Sequence, residues 1–410
     1  MKKVKYLGLF EIVVFLDMIY GAYPWFFWNI KPLYINVIFS VLSVIYAKAN
    51  NIRIFKNTNY VLGLCVLYLS TLVTVDVRAF HEYLYPIFVF IPLLTLVSDK
   101  KNGNVIFEHV TKWFSWVLIP SIILHLIFLV IGFPPSALII NEKIPDSYVY
   151  FNYFILVKNI ILPDYEFRFC SIFLEPGYLG TLLAFLLYVG KYDFRVNHNR
   201  IFTVALLLTM SLAGYVVFVL GWILSKLQKR QSVKKILYIT FVLLGTYIVG
   251  VNYNNGNNYL NENIISRLKY DEDKGISGNN RNSYTTDLYF DEYLKSGDLI
   301  LGVGSQKVNK INGGSTAGNN FNDQIRGAGY KIYFITNGII QSLMILFGYI
   351  LLLRKSPKRY MYGFLLLIIL TFIQASYPLS TSWLIPFIFA CILNPLDKNE
   401  NRNINFSSCS

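Results

Sequence analysis

Apolar residues along this chain come in long blocks, separated by short loops that are rich in lysine and arginine. A helix that crosses a lipid bilayer needs about 17–25 apolar residues, and most of the blocks are close to that length. The pattern therefore predicts an all-α polytopic membrane protein. The predicted membrane segments cover about residues 6–22, 33–48, 59–75, 84–98, 113–133, 171–190, 201–224, 236–252, 329–353, 360–377 and 382–394.

The positive charges orient these segments, because cytoplasmic loops carry the excess of lysine and arginine. Three lysines at positions 2, 3 and 5 predict a cytoplasmic N-terminus. A single crossing by 201–224 would leave the lysines and arginines of 226–235 outside. Two short helices forming a hairpin, which meet near 209–214, remove that conflict; a single crossing is the alternative. The total becomes about 12 crossings, with both termini in the cytoplasm.

The predicted crossings divide the chain into membrane parts and two larger periplasmic loops. The second loop has roughly 76 residues, and a loop of that length in a compact protein is usually functional. The predicted parts are five transmembrane helices in 1–133, a first periplasmic loop in 134–170, a transmembrane core in 171–252, the second loop in 253–328, C-terminal transmembrane helices in 329–396 and a cytoplasmic tail in 397–410.

Composition supports the membrane class and argues against several others. The chain is 55% hydrophobic and only 15% charged, whereas a soluble domain has about 25% charged residues. The net charge of +14 comes from short loops between crossings, so we expect no binding to nucleic acid. The four cysteines and four histidines are scattered without ligand spacing, so we expect no metal and no cofactor.

One segment before the sixth crossing carries unusual polarity. Proline is favoured at the first position of a helix and a carboxylate just before it, so Glu175 and Pro176 predict a helix start. Gly177 and Gly180 lie one turn apart and would allow close helix packing. Arg168 lacks such an explanation: on an uninterrupted helix it would share a face with Glu175 and pair with it, or it would hold a phosphate.

The second loop and the start of the next crossing contain a further set of candidate binding residues. Arginine suits phosphate, because its guanidinium is always charged and grips two oxygens at once. Tyrosine, asparagine and aspartate are natural partners of sugars. The alternative is a solvated outer domain whose charges only confer solubility. The candidates are Arg267, Arg281, Asp323, Arg326 and Tyr330.

Several short motifs in order resemble the O-antigen and capsular polysaccharide polymerases and the related O-antigen ligases. Arg168 is followed by Phe-Leu-Glu-Pro-Gly, and the helix break reads Leu-Thr-Met-Ser-Leu-Ala-Gly, with Ser211 and Gly214. The second loop carries Ser-Gly-Asn-Asn-Arg (277–281) and Leu-Gly-Val-Gly (301–304), and Asn-Gly-Ile-Ile (337–340) follows. The resemblance rests on the order and placement of these patches.

This resemblance implies a multi-pass glycosyltransferase of the bacterial inner membrane that uses no nucleotide. Its substrates would be undecaprenyl-diphosphate-linked oligosaccharides, and a flippase and a chain-length regulator would be its partners beside the bilayer. Arginines would stabilise the lipid-diphosphate leaving group, with Arg168, Arg267, Arg281 and Arg326 as candidates. Glu175, and after it Asp323, would take the proton from the acceptor hydroxyl.

Two alternatives stay open. Ligases carry a His-Asn pair where the second loop re-enters the membrane and an arginine after the serine of the break; this chain has Asn322-Asp323 and Leu212 instead. Both departures favour a polymerase. A flippase for lipid-linked oligosaccharides also fits about 12 crossings, although transporters concentrate polar residues at mid-membrane rather than in one outer loop.

Overall fold

The computed structural model describes residues 4–76, 80–141, 149–161, 167–228, 248–256, 283–314, 329–353, 358–375 and 377–393, with a few isolated positions between 245 and 325. This part of the chain is mostly helical. Its main helices are α1 (Leu7–Tyr20), α2 (Pro32–Ala49), α3 (Thr58–Leu72), α4 (Phe80–Ser98), α5 (Gly103–Ile131), α6 (Pro176–Val189), α7 (Asn197–Leu208), α8 (Leu212–Gln228), α9 (Tyr284–Ser296), α10 (Ser305–Gly314), α11 (Tyr330–Leu353), α12 (Lys358–Gln374) and α13 (Thr381–Ile392).

Three of these helices, α2, α5 and α11, are long and apolar enough to cross a membrane. Shorter apolar helices accompany them, within α3, α4, α6, α8, α12 and α13. The chain is thus a mostly helical protein with helices of the membrane type. The number of crossings, their orientation and the side of each loop remain predictions, and most of the predicted crossing at 236–252 lies outside the described residues.

Two helices that are apolar on every side form the centre of the bundle, as expected for a helix surrounded by other helices. Every residue of α13 is buried, and so is almost all of α6. The Phe185 ring in α6 packs edge-on against Phe364 of α12 at 5.1 Å and Trp383 of α13 at 5.7 Å between ring centroids. The core thus lies between α6, α12 and α13.

The chain reverses direction between α7 and α8. The start of α7 lies at the end of α6, because a Cβ added at Gly190 would lie 2.9 Å from the Asn199 side chain. The start of α8 lies instead near the start of α6, where Gly214 meets Gly180. Therefore α7 runs antiparallel to α6, and α8 runs parallel to it. The predicted helix break is present, with Met210 at φ +48°.

A small antiparallel sheet follows α5, in the segment predicted as the first periplasmic loop. Its strands are β1 (Leu138–Ile140), β2 (Val149–Asn152) and β3 (Val157–Asn159), in that order across the sheet. The sequence analysis did not predict it, because strands this short give no clear alternation of apolar and polar residues. A second pair of short strands, β4 (Tyr270–Asp271) and β5 (Gly275–Ile276), lies in the second loop.

The second loop docks onto the helical bundle in two ways. Its apolar cluster includes Tyr293, Leu299 and Val303, together with Ile335 of α11. The Asp76 carboxylate, which follows α3, accepts bonds from the backbone N–H groups of Ser305 at 2.7 Å and Gln306 at 3.1 Å. A carboxylate at the first turn of a helix is favourable, so Asp76 fixes the start of α10.

Candidate functional site

The segment from Phe167 to Glu175 is irregular rather than helical, and α6 begins only at Pro176. The expectation that Arg168 and Glu175 share one face of an uninterrupted helix is therefore wrong. Two physical reasons account for this. Proline disfavours helical backbone at the residue before it, and Glu175 accordingly is extended, with φ −138° and ψ 146°. The segment also bonds to neighbouring chain segments instead of to itself.

Backbone hydrogen bonds hold this segment on both sides. Ile172 accepts a bond from the Trp25 N–H at 2.9 Å, and the Leu174 N–H donates to Tyr23 at 3.0 Å. On the other side, the Val157 N–H of β3 donates to Ser171 at 2.8 Å. Residues 169–174 are all buried. Buried backbone groups need such partners, so the α1–α2 loop and strand β3 hold the segment in place.

Arg168 binds the end of α7. Its Nε donates to the backbone carbonyl of Thr209 at 3.2 Å, and the Phe169 N–H donates to the carbonyl of Leu208 at 2.9 Å. The last carbonyls of a helix lack partners within the helix and carry partial negative charge, so a cation stabilises them. Arg168 thus has a structural role that the sequence analysis did not find.

The two helix motifs of this region meet each other. A Cβ added at Gly214 would lie 3.1 Å from backbone atoms of Gly180, so α6 and α8 cross here in close contact. The Ser211 hydroxyl accepts a bond from the Gly214 N–H at 3.2 Å and caps the start of α8. Gly180 thus lies at a close helix contact, and Ser211 and Gly214 lie at the predicted break between α7 and α8.

Gly177 does not contribute to this crossing. The nearest atom to a Cβ added at Gly177 would be the Glu175 carboxylate, at 4.0 Å. The prediction that both glycines of α6 serve helix packing is thus wrong for Gly177. It lies in the first turn of α6, ahead of the point where α8 crosses.

The remaining predicted site residues are scattered. Tyr330 begins α11 and packs its ring against Phe290 and Phe334, at 5.9 and 5.7 Å between centroids, so it joins the second loop to the bundle. Glu175 is partly exposed, in the extended position just before α6. Four predicted residues, Arg267, Arg281, Asp323 and Arg326, lie outside the described residues.

A second pair of sequence motifs meets where α11 is interrupted. Gly338 has φ 84° and ψ 165°, which is not helical. The carbonyls of Ile335 and Thr336, just before the break, accept bonds from the N–H groups of Val303 at 2.7 Å and Gly304 at 3.1 Å. The Leu-Gly-Val-Gly stretch thus takes over bonds to α11, and it can approach so closely because Gly338 has no side chain.

A pocket of about 440 Å³ opens beside this break, at the ends of helices that the predicted topology places on the periplasmic side. The volume is within the range of small-molecule sites, about 300–1,000 Å³. Helices α1, α2, α3, α4 and α11 and the turn before α13 form it. The lining residues are Tyr20, Gly21, Tyr23, Pro32, Asn36, Thr71, Tyr85, Pro86, Val89, Phe90, Tyr333, Asn337, Gln341, Tyr377, Pro378, Leu379, Ser380 and Thr381.

The described lining is aromatic and polar but carries no Asp, Glu, Lys, Arg or His. The Asn36 amide donates to the Tyr85 hydroxyl at 3.0 Å, and Tyr85 in turn bonds to Tyr20. Burial raises the pKa of Tyr23, so its hydroxyl stays protonated and able to donate.

Two tyrosines of the lining connect the pocket to α6. The rings of Tyr23 and Tyr377 both pack on Tyr178 of α6. Tyr178 lies about one turn from Glu175.

Two buried polar side chains, one in the lining and one behind it, are poorly satisfied. The Gln341 side chain is 5% exposed, and its Oε1 has no partner among the described residues. Asp17 of α1 is 1% exposed, and neither carboxyl oxygen has a bond of ordinary geometry. The Thr381 hydroxyl of the lining donates to the Asp17 backbone carbonyl at 2.6 Å, so Asp17 lies directly behind the pocket wall. Unpaired buried polar atoms are costly and call for an explanation.

No protein-family model, curated protein or solved structure matches this chain. The resemblance to polysaccharide polymerases therefore rests on its short motifs alone. Across the residues that the structure describes, no group of three or more His, Cys, Asp or Glu side chains could hold a metal ion.

The pocket lining includes none of the predicted catalytic or substrate-binding residues within the described part of the chain. Sequence reasoning had noted Asn337 only as part of a motif and had passed over Asn36 and Gln341. Amide side chains inside apolar segments were the available signal, because polar residues within a membrane are costly and often functional. Nothing in the sequence indicated that these separate helices meet at one pocket.

Proposed function

We propose that this protein is a polysaccharide polymerase that joins undecaprenyl-diphosphate-linked oligosaccharide units at the periplasmic face of a bacterial inner membrane. One observation carries the proposal. Motifs far apart in sequence meet in pairs: Arg168 with the break before α8, and the Leu-Gly-Val-Gly stretch with the interruption of α11. A pocket with aromatic and amide lining adjoins the second pair.

The proposed reaction is a transfer of the growing glycan. A hydroxyl at the non-reducing end of a new lipid-linked unit attacks the anomeric carbon of the growing chain. The bond between that carbon and the lipid diphosphate breaks, and the diphosphate leaves with the electron pair. The hydroxyl proton passes to a carboxylate, so the transfer needs neither a nucleotide nor an oxidant.

Glu175 remains our first candidate for the proton acceptor, and Asp323 the second. Support for Glu175 comes from its partly exposed position just before α6, one turn from the Tyr178 ring that contacts two tyrosines of the pocket. Arginines of the second loop, Arg267, Arg281 and Arg326, are the proposed partners of the leaving diphosphate. Arg168 belongs to this set too, with its bond to α7 as a second role.

A flippase for lipid-linked oligosaccharides is the second candidate, and two observations favour it. Transporters often place substrates at interrupted helices, and α11 is interrupted at Gly338. They also retain buried ionisable groups inside the bundle, as Asp17 is here. No comparable observation favours a ligase.

Deletion of the gene tests the proposal, with surface polysaccharide from the mutant run on a gel. We expect the ladder of long chains to disappear while a single repeat unit stays attached, and the wild-type gene to restore the ladder. Loss of all attached glycan, including the single unit, would point to a flippase or a ligase instead. An unchanged ladder would rule out a role in polymer assembly.

A further inference from the structure

We infer that the pocket beside the break of α11 binds one uncharged sugar residue and excludes sugars that carry a carboxylate or a phosphate. This inference rests on the proposed function, since it names what part of the glycan substrate the pocket holds. It also separates the site into two parts: a neutral pocket for a sugar ring and, elsewhere, cations for the diphosphate.

One buried acceptor of the pocket lacks a hydrogen-bond donor. The Gln341 Oε1 atom lines the pocket and receives no bond from the described residues. A buried acceptor without a donor is costly. A sugar hydroxyl, or the N–H of an acetamido group, would supply that donor. Asn337, which lines the same pocket just before the break at Gly338, offers a second amide to the same ligand.

The walls of the pocket match the surface of a sugar ring. Tyr20, Tyr85 and Tyr333 contribute to the walls, and tyrosine has an apolar ring together with a polar tip. A pyranose ring has the matching character, with C–H groups on its faces and hydroxyls on its edge. The Asn36 amide bonds to Tyr85, and Tyr85 bonds to Tyr20. The hydroxyls of Tyr20 and Tyr85 are therefore already oriented before a ligand arrives.

The described lining of the pocket offers no positive charge to an anion. Burying an anion is costly unless a cation pairs with it, and the described lining supplies no lysine, arginine or histidine. Asp17, buried in the bundle behind the wall, is a carboxyl group and not a cation. A uronic acid or a phosphorylated sugar would therefore lose its hydration without gaining a counter-charge. A neutral sugar bears no such cost.

The test measures binding to the purified full-length protein in lipid nanodiscs by saturation-transfer NMR. The probes are methyl β-glucopyranoside, methyl N-acetyl-β-glucosaminide, methyl β-glucuronide and methyl β-glucopyranoside 6-phosphate, and empty nanodiscs give the background. We expect transfer to one or both neutral glycosides and none from the pocket to the glucuronide or the phosphorylated glycoside. Gln341→Leu should weaken neutral glycoside binding about tenfold, because one buried hydrogen bond is lost.

Matched variants keep the test decisive. Gln306→Leu changes an exposed glutamine of α10 and should leave binding unchanged. Tyr85→Phe, which removes one hydroxyl and keeps the ring, should also weaken binding and covers the case in which Gln341→Leu fails to fold. The inference is overturned if no neutral glycoside binds, or if Gln341→Leu and Tyr85→Phe bind as the wild type does. It is equally overturned if the glucuronide or the phosphorylated glycoside binds to the wild type and that binding is lost in these variants.

The two proposals fail in different ways. An intact polysaccharide ladder in the deletion strain, with glycoside binding still sensitive to Gln341→Leu, would reject the polymerase and keep the sugar pocket. Loss of the ladder, with glycoside binding insensitive to the pocket variants, would keep the polymerase and reject the pocket.

Discussion

The crossing of α6, α7 and α8 and the pocket beside α11 differ in how their polar groups are satisfied. At the crossing, Arg168 bonds to the end of α7 and Ser211 caps α8; the buried Ser171 hydroxyl and Asn199 Oδ1 atom, which have no bond, are exceptions. At the pocket, the Gln341 Oε1 atom has no partner beside a cavity large enough for a ligand, and the Asp17 carboxyl group behind the wall has no bond of ordinary geometry.

Unusual polar residues in a sequence can thus have two explanations: bonds within the fold, or a ligand. The Glu-Pro-Gly segment drew attention because an arginine and a carboxylate near a membrane are costly. The structure explains much of that cost through a helix start and a capped helix end. The pocket drew little attention in the sequence, yet its polar groups are those that internal bonds leave unexplained. Unsatisfied atoms in a cavity are therefore the better guide to a ligand.

The largest expected effect is that of Gly338→Val, which would remove the break that shapes the pocket. Any Cβ there would overlap the Leu301 backbone, and φ of 84° is strained for a side chain. We expect a loss of about 3 kcal/mol or more in stability, measured as a lower melting temperature of the purified protein. Gly8→Val is the control, because nothing lies within 4 Å of a Cβ at Gly8. Equal melting of both variants would contradict the described break.

Gly214→Val attacks the other region and should cost somewhat less. Its Cβ would lie 3.1 Å from the Gly180 backbone, so α6 and α8 would have to move apart. Overpacking of this kind costs about 1–3 kcal/mol. The same substitution at Gly177, where the nearest atom is at 4.0 Å, should be tolerated. Thermal unfolding of the pair shows whether close packing is confined to the crossing, and equal losses would argue that it is not.

Arg168→Ala separates the structural role of Arg168 from a role in the reaction. The lost bond to Thr209 should reduce stability by about 1–2 kcal/mol, and we also expect the polysaccharide ladder to disappear. The ladder is then examined at a growth temperature at which the variant stays folded in the membrane. Continued absence of polymer supports contact with the substrate, whereas recovery would leave Arg168 with the structural role alone.

The smallest perturbation is a reporter fused after Lys229, which should leave the preceding helices intact. Since α7 and α8 run in opposite directions beside α6, we expect a cytoplasmic signal there and a periplasmic signal from a fusion within the 209–211 turn. A periplasmic signal after Lys229 would mean that the pair does not cross the membrane twice.

The sequence predicted the helices well, because bilayer length and loop charge constrain them directly. The predicted segments 33–48 and 59–75 lie close to α2 and α3. Helix α5 is longer than the predicted crossing at 113–133: it begins at Gly103, since polar residues such as Glu108 and His109 extend it beyond the apolar block. Pro176 marked the start of α6 correctly, because its effect on the backbone is local.

The sequence could not predict contacts between distant segments. The partner of Arg168 lies 41 residues away, and the acceptors of Val303 and Gly304 lie in another helix. The pocket depends on several helices that approach only in the folded chain. Residues such as Gln341 were visible as polar interruptions, but nothing in the sequence indicated that they face one cavity.

The hydrogen bonds from Val303 and Gly304 to the carbonyls before Gly338 have a consequence for exchanging parts between proteins. The second loop supplies the hydrogen-bond donors for two carbonyls just before the break in α11. The loop is therefore not a separate unit that could be removed without disturbing this helix. A chimera that joins a foreign loop at Tyr330 would separate these donors from the acceptors they fit. A chimera should therefore be joined after Gly338, so that the second loop and the interrupted part of α11 come from the same protein.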